Sequence, residues 1–363
     1  MERLEKANAC FLHTISGLGN RSLWKIKNRF GSFTNFINAD NQELYSAGLH
    51  QETISDFIER RKTLNPFNCL DDLEHRGIQA ICFEDEDFPE LLKNIHNPPY
   101  LLYYSGSIHL TGQFCMAVVG ARRATAYGKK VAHKFSQGLA GQGIVVVSGM
   151  ARGIDTEAHL GALDAGGYTI AVLGSGLDRI YPRENVKLYE RIINHGLVLS
   201  EFPLHTPPEP GNFPMRNRLI SGLSHGTVVV EAKTKSGALI TADFALDQGR
   251  DVFAVPGSVD SANSEGTNNL INQGGTLITG IEDILEEYEC FRNTAPVQLK
   301  QEQLWLLDDN ENTIIQYMGS QSVQFDELLN GLGMEVGLLS TLLLKMELSG
   351  IVKLLPGNYY VKI

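Results

Sequence analysis

The sequence predicts an α/β chain built on a mostly parallel sheet with helices on both faces, preceded by a small helical domain and followed by a compact helix-and-hairpin module. Three observations predict it. From Met116 the short apolar runs "MAVVG", "GIVVVSG", "TIAVLGSG", "GLVLSEF", "GTVVVEA" and "DVFAVPG" alternate with amphipathic stretches, the pattern of β/α units with both sheet faces covered. Before them, a Gly17-Leu18-Gly19 turn separates two apolar-periodic segments. After Asn293, three short helical patterns lead to a hairpin-like end, "IVKLLPGNYYVKI".

Taken in order, residues 1–70 form the helical domain. In "LHTISGLGNRSLWKIKNRFGSF", Leu12 and Ile15 precede the glycine turn and Leu23, Trp24 and Ile26 follow it. That is the outline of a helix–hairpin–helix, whose glycines allow positive φ and whose second helix can turn its first amides toward a phosphate. A small helical bundle that uses the same turn only for packing fits equally well. Residues 71–292 form the second domain, opening with an acidic connector, "FEDEDFPELLKNIHNPPYLLYYSG", whose Pro98-Pro99 break precedes an aromatic strand. Helices are expected near Gly128–Ala140, His159–Ala165, Asn185–Ile193 and Ala238–Gln248. Residues 298–363 read as a winged-helix-like domain with its hairpin turning at Pro356-Gly357-Asn358.

Composition narrows the function. The formal net charge is −11, but it is unevenly distributed: −4 over residues 1–115, +3 over 116–257 and −10 over 258–363. Only the middle segment can offer a surface to polyanions. The five cysteines are scattered without CxxC spacing, so neither a zinc site nor a disulfide framework is expected. No apolar run approaches a membrane span and the opening MERLEKANAC lacks a secretory pattern, so a cytoplasmic protein with no membrane partner is expected.

The chemistry concentrates in five turns at strand ends. "VVGARRATAYG" carries Gly120, Arg122, Arg123 and Tyr127; "VVVSGMARGIDTEAH" carries Ser148, Gly149, Arg152, Gly153, Asp155 and His159. "AVLGSGLDRIYPREN" carries Gly174, Gly176, Tyr181, Arg183 and Asn185; "SEFP" leads to "NFPMRNR"; and "EAKTKSGALITA" carries Lys235, Ser236, Gly237 and Thr241 at a helix start. Glycines let phosphates approach backbone amides, helix N-termini add partial positive charge, and arginines add bidentate contacts. Together these turns describe a polyanion-binding surface at the carboxyl ends of the strands.

Several residues admit two readings. Asp155 and His159 stand four apart, as an acid/base pair would, but a capping Asp with a satisfied His is the commoner cause. Ser148 and Ser236 lie outside any GxSxG elbow and read as caps or phosphate ligands. Glu201 and Glu231 close strands, either as catalytic carboxylates or as loop anchors. "GSG" at 174–176 is an incomplete dinucleotide fingerprint, so no cofactor is expected. In "FPMRNRLISGLS" the two arginines flank Asn217 at what reads as a helix start, with Asn217 as its cap. Phe213 offers either a stacking face for a base or a packing aromatic.

The stretches "SGMARGIDTEAHLGAL", "GSGLDRIYPREN", "NFPMRNRLISGLS", "SGALITADFALDQGRDVFAVPG" and "EGTNNLINQGG" closely resemble the DNA-processing protein DprA/Smf family. The resemblance is specific over residues 116–280 and extends less specifically to both ends. It implies an extended Rossmann-like domain that binds single-stranded DNA without sequence preference, flanked by helix-hairpin-helix/SAM-like and winged-helix domains. It also implies a non-enzymatic homodimer that loads the recombinase RecA onto incoming strands during natural transformation. Carried over by position, the DNA-binding set is Gly120, Arg122, Gly149, Arg152, Gly153, Phe213, Arg216, Asn217, Arg218, Lys235, Ser236 and Gly237. Arg216 and Arg218 are expected to divide labour, one meeting phosphate and the other bracing a neighbour such as Glu201. The implied dimer interface is Leu270, Ile271, Leu277 and Ile278. Glu209, in "HTPPEPGNFP", departs from the basic or neutral residue expected in that loop. The alternatives are a phosphoribohydrolase of the lysine-decarboxylase-like group, whose compact PGG-x-GT loop "PGSVDSANSEGTNN" does not supply, and a transcription factor. The latter's recognition helix would be "EVGLLSTLLLKMELSG", with one lysine and two glutamates.

Overall fold

The structure is a computed structural model that describes residues 1–63, 65–292, 309–318, 322–348, 351–355 and 357–362. The chain forms two compact units, Met1–Ala295 and Pro296–Ile363. The linker at Pro296 and the boundary at 298 lie outside the described residues.

The first unit is organised by a nine-stranded sheet. Its strands are β1 (Gln79–Cys82), β2 (Leu101–Gly106), β3 (Cys115–Val119), β4 (Val145–Ser148), β5 (Thr169–Leu173), β6 (Leu197–Ser200), β7 (Gly226–Val229), β8 (Asp251–Ala254) and β9 (Thr276–Leu277). They lie in the order β1-β2-β6-β5-β4-β3-β7-β8-β9. From β6 to β9 every pairing is parallel, with Ala117 opposite Val147 and Val119 opposite Val229. At the other end β2 runs antiparallel to both β6 and β1. β3 through β7 are buried residue by residue, which is why they read as unbroken apolar runs.

Alternate residues of one strand feed opposite layers. Ala117 and Val119 pack with Leu219, Ile220, Ala238 and Ala242 of the helices Asn212–Gly222 and Gly237–Asp247. Met116 and Val118 pack with Ala132, Phe135, Ile154 and Ala158 of the helices Ala126–Gly141 and Ile154–Asp164. The last two helices cross closely because Gly161 has no side chain: a Cβ there would stand 2.3 Å from the His133 carbonyl oxygen.

Six helices precede the sheet, beginning with Arg3–His13 and Asn20–Phe30. Local sequence sets their ends: Ser32 accepts from the Asn35 amide, and Asp40 and Glu43 form a reciprocal capping box. The helical region has no core of its own. Phe11, Phe33, Phe36 and Phe57 belong to one buried cluster with Tyr100, Tyr103, Leu173 and Val198, so the boundary at residue 70 is not a break in packing.

The second unit has helices Asp309–Met318, Phe325–Leu332 and Val336–Leu348 and a small sheet of β10 (Val323–Gln324), β11 (Val352–Leu355) and β12 (Tyr359–Lys362), ordered β10-β12-β11. Ile314, Leu328, Leu339, Leu343, Met346 and Val352 make its core. This is a winged helix. Gly357 and Asn358 turn its hairpin at positive φ, and Pro356 lies outside the described residues.

Gly161→Ala forces the crossed helices apart and is expected to cost about 1–3 kcal/mol of stability, the range for overpacking a tight contact. Chemical denaturation against a surface Gly→Ala control such as Gly211, which has open space around it, measures this.

Candidate nucleic-acid interface

The strand order switches direction between β3 and β7. The chain builds outward from β3 through β4, β5 and β6, then crosses back to β7 on the opposite flank. Turns leaving β3 and β7 diverge there, and the carboxyl edge opens into a crevice. This cleft has a volume of about 660 Å³ and is lined by Gly120 to Arg123, Phe213, Arg216, Asn217, Lys233 and Lys235 to Gly237, among others.

Its surface is cationic. Arg122, Arg123, Lys233 and Lys235 are exposed, and none has an ion-pair partner among the described residues. The one acid in the lining, Asp155, is buried. The Arg122 guanidinium lies 4.7 Å from the centroid of the Phe213 ring, and Tyr181, 40% exposed, tilts against the same ring at 5.7 Å. Beyond this stack a smaller hollow of about 150 Å³ continues past Gly149 and Arg152 to Gly174 and Ser175.

The Arg-Asn-Arg set does not precede a helix but lies in the second turn of the helix Asn212–Gly222. Arg216 is 3% exposed and faces inward, donating through Nη1 to the carbonyls of Gly149 (2.8 Å) and Val172. Its Nε donates to Asn217 Oδ1 (3.2 Å), and Asn217 Nδ2 donates to the Gly237 carbonyl (3.0 Å). Asn217 is therefore a mid-helix tie between turns, not a cap. Arg218 pairs with the buried Glu201, as expected for the bracing member. Neither arginine of the pair offers a free guanidinium to phosphate. Arg152 is exposed and bonded to Glu184 at 2.6 and 2.7 Å.

The glycines divide in the same way. A Cβ on Gly120 would meet Ile154, on Gly149 it would meet Arg216 and Asp155, and on Gly153 (φ +80°) it would fall 2.3 Å from the Ala121 carbonyl oxygen. These three serve loop-on-loop packing. Gly237 alone of the expected set has open space, at the start of a helix that Ser236 caps through the Ala238 amide (3.3 Å).

The alternative catalytic groups are occupied. Ser148 Oγ donates to the Val118 carbonyl (2.7 Å), and Glu231 accepts from the Thr125 amide (2.9 Å) and its hydroxyl. His159 pairs with Thr169 Oγ1 at 2.7 Å rather than with Asp155, and burial holds its pKa down to about 3. Asp155 accepts from the Ala151 amide (3.3 Å); burial raises its pKa to about 6 against the opposing pull of Arg216. Burial likewise lowers Arg216 to about 10, so it stays charged at neutral pH. Among the described residues no three His, Cys, Asp or Glu side chains stand close enough to hold a metal ion, and no helix is long and apolar enough to cross a membrane. Arg123, Lys233, Tyr181 and Asn263 also line the cleft but were absent from the expected set. Lys233 was visible as the neighbour of Lys235 in "EAKTKSG", and Arg123 as the neighbour of Arg122.

The profile of the DNA recombination-mediator protein A family matches residues 79–289, more than half of the chain. The chain belongs to this family. The DprA winged helix domain matches residues 300–358. Protein Smf of Synechocystis is 44% identical over 242 residues, which span 66% of this chain and 61% of that one. The X-ray structure of DNA processing protein A from Streptococcus pneumoniae superposes with a TM-score of 0.68 at 36% identity, over 78% of this chain and 98% of that one. DNA processing protein A from Helicobacter pylori, described for its single-stranded DNA binding mode, superposes with a TM-score of 0.53 at 33% identity, over 58% of this chain and 97% of that one.

Asp155 gives the site a pH signature. Its folded pKa lies above the unfolded value near 3.8, so its stabilising contribution is full below about pH 4 and is lost as pH rises through about 6. The stability difference between Asp155→Asn and wild type should therefore move in the variant's favour from pH 5 to 7.5, by an amount on the order of 1–3 kcal/mol, whatever its offset from losing the carboxylate beside Arg216. Thermal melts across that window measure it; parallel curves for the two proteins would refute it.

Proposed function

We propose that the cleft binds single-stranded DNA without sequence preference and that the protein delivers the strand to a RecA-type recombinase in the cytoplasm. The observation that carries the reading is the set of four exposed cations lining the cleft at the switch point, one of them, Arg122, stacked on the Phe213 ring. Unpaired arginines and lysines suit phosphates, and an aromatic face suits any base. A duplex read through its major groove needs an inserted helix or ribbon, whereas a cleft of strand-end turns with a ring face suits the splayed bases of a single strand. The relationship to the Helicobacter pylori protein supports the same ligand. Arg122 is the principal phosphate contact, with Lys235 and the open backbone at Gly237 beside it. Arg216, Asn217, Arg218, Gly120, Gly149 and Gly153 contribute by shaping the cleft. Arg152 joins the DNA only by leaving Glu184.

The phosphoribohydrolase reading needs a free carboxylate at Glu231, which is committed to Thr125 and Asn263. No observation favours it.

Pairing of two chains, part of the same proposal, can use only two of the four expected residues, Leu270, Ile271, Leu277 and Ile278. Leu270 and Ile278 are buried in this chain's own core, at 6% and 0% exposure, whereas Leu277 is 48% exposed and Ile271 partly so. Leu277 and Ile271 are the members of that set with surface to offer a second copy. A two-fold pairing would be isologous and would place two clefts on one particle.

Fluorescence anisotropy with oligo-dT tests the ligand. Phe213→Ala should cost roughly 1–3 kcal/mol of binding, and Arg122→Ala should lower the magnitude of the salt slope by about 0.7, one phosphate contact. Unchanged affinity in both folded variants would overturn the reading. Stimulated RecA filament formation on strands coated with single-strand-binding protein tests delivery.

Sedimentation tests the pairing. Leu277→Arg should give a folded monomer, whereas Leu270→Arg should unfold the domain by burying a charge; an intact dimer in Leu277→Arg would remove the interface.

A further inference from the structure

We infer that a strand held in the cleft continues along the carboxyl edge of the sheet to the helix Asn20–Phe30, where Arg21, Lys25 and Arg29 form a second phosphate-binding stripe. The inference rests on the cleft being a single-stranded DNA site and extends that site to a surface about half the width of the sheet away.

The stripe is set by sequence. "NRSLWKIKNRF" contains four cations and no acid, in a segment that is otherwise net negative. Arg21, Lys25 and Arg29 recur every fourth residue on the exposed face, while Leu23 and Ile26 are buried on the other. Lys27, on the flank, is taken by Glu84 at 2.9 Å, and Arg29 donates to Ser46 Oγ. Arg21 and Lys25 have no hydrogen-bond or ion-pair partner among the described residues. Like charges four apart on a helix repel, so a face that served only solubility gains nothing from this arrangement.

The fold puts the stripe at the same edge as the cleft. β2 runs antiparallel to β6 with Tyr103 opposite Ser200, so Pro98, Pro99 and Tyr100, which lead into β2, lie level with the carboxyl end of β6. Asn20 Nδ2 and Trp24 Nε1 both donate to the Pro98 carbonyl at 2.9 Å, and Asn20 Oδ1 accepts from the Tyr100 amide. The helix start is thereby pinned to that edge. Its cap, Gly19, makes no side-chain bond to the first-turn amides, so the positive end of the helix adds to the field of Arg21.

A route connects the two. The hollow beyond the Arg122–Phe213 stack already runs past β4 to Gly174 and Ser175 at the end of β5, and exposed Arg183 follows in the loop beyond. From β3 to β2 there are four strand spacings, about 19 Å at ~4.8 Å each. A stacked strand at ~3.4 Å per phosphate covers that in about five or six nucleotides.

Length dependence tests this. Labelled oligo-dT of about 3 nucleotides, too short to reach from the cleft to the stripe, and of about 25 nucleotides would be titrated with wild type and with the Arg21→Gln/Lys25→Gln double variant over a salt series. The variant is expected to bind the long strand at least about fivefold more weakly, with a salt slope smaller in magnitude by about 1.4 for two lost phosphate contacts, and the short strand as wild type does. Wild-type affinity for the long strand, or an equal loss at both lengths, would overturn the inference. Failure of the cleft reading looks different: Arg122→Ala would then leave the short strand's affinity unchanged.

Discussion

The carboxyl edge of the sheet is organised around one buried cation. Arg216 reaches from the helix Asn212–Gly222 to the carbonyls at the ends of β4 and β5, and through Asn217 to the first turn of the helix after β7. The turn after β4, the end of β5 and the start of the helix after β7 are held by one guanidinium and its neighbour amide. A buried charge is costly unless it is paired and fully bonded, and here backbone acceptors and the nearby Asp155 meet that demand. Conserving volume without the guanidinium's fork of donors would leave those carbonyls unsatisfied.

The glycines follow from the same constraint. Turns drawn that close leave no room for Cβ atoms at Gly120, Gly149 and Gly153. A cleft with walls packed this tightly would lose little entropy on taking up the proposed strand, which favours a surface whose contacts are individually modest. The exposed cations, by contrast, sit on the rim without partners, where solvent and salt weaken each one. Bound through such an arrangement, the proposed strand would be held in a sequence-tolerant, salt-sensitive way.

Charge is separated along the fold as well as along the chain. The cationic turns gather at one edge because parallel strands all present their carboxyl ends there. Acids are drawn off into pairs or into the interior: Glu184 with Arg152, Glu201 with Arg218, Glu231 under Thr125. Other acids stand on the helix Glu282–Glu287, at the far end of the first unit's chain. An overall charge of −11 is thus compatible with a locally positive surface.

The strand–helix alternation, the parallel sheet and the winged helix were legible in sequence because each depends on local periodicity: buried strands read as apolar runs, and Ser236 and Thr125 mark helix starts by their capping chemistry. The residues of the site were legible by type, as arginines and glycines in strand-end turns. Their roles were not. Whether a guanidinium meets solvent or backbone depends on which turns the sheet order brings side by side, so Arg122 and Arg216, alike in sequence, end as an exposed cation and a buried brace. The same is true of Leu270 and Leu277, seven residues apart, one in the core and one at the surface. Sequence determined which groups are available and which backbone elements carry them; only the tertiary structure decided which are desolvated, because burial is a property of what packs against a residue and not of the residue itself.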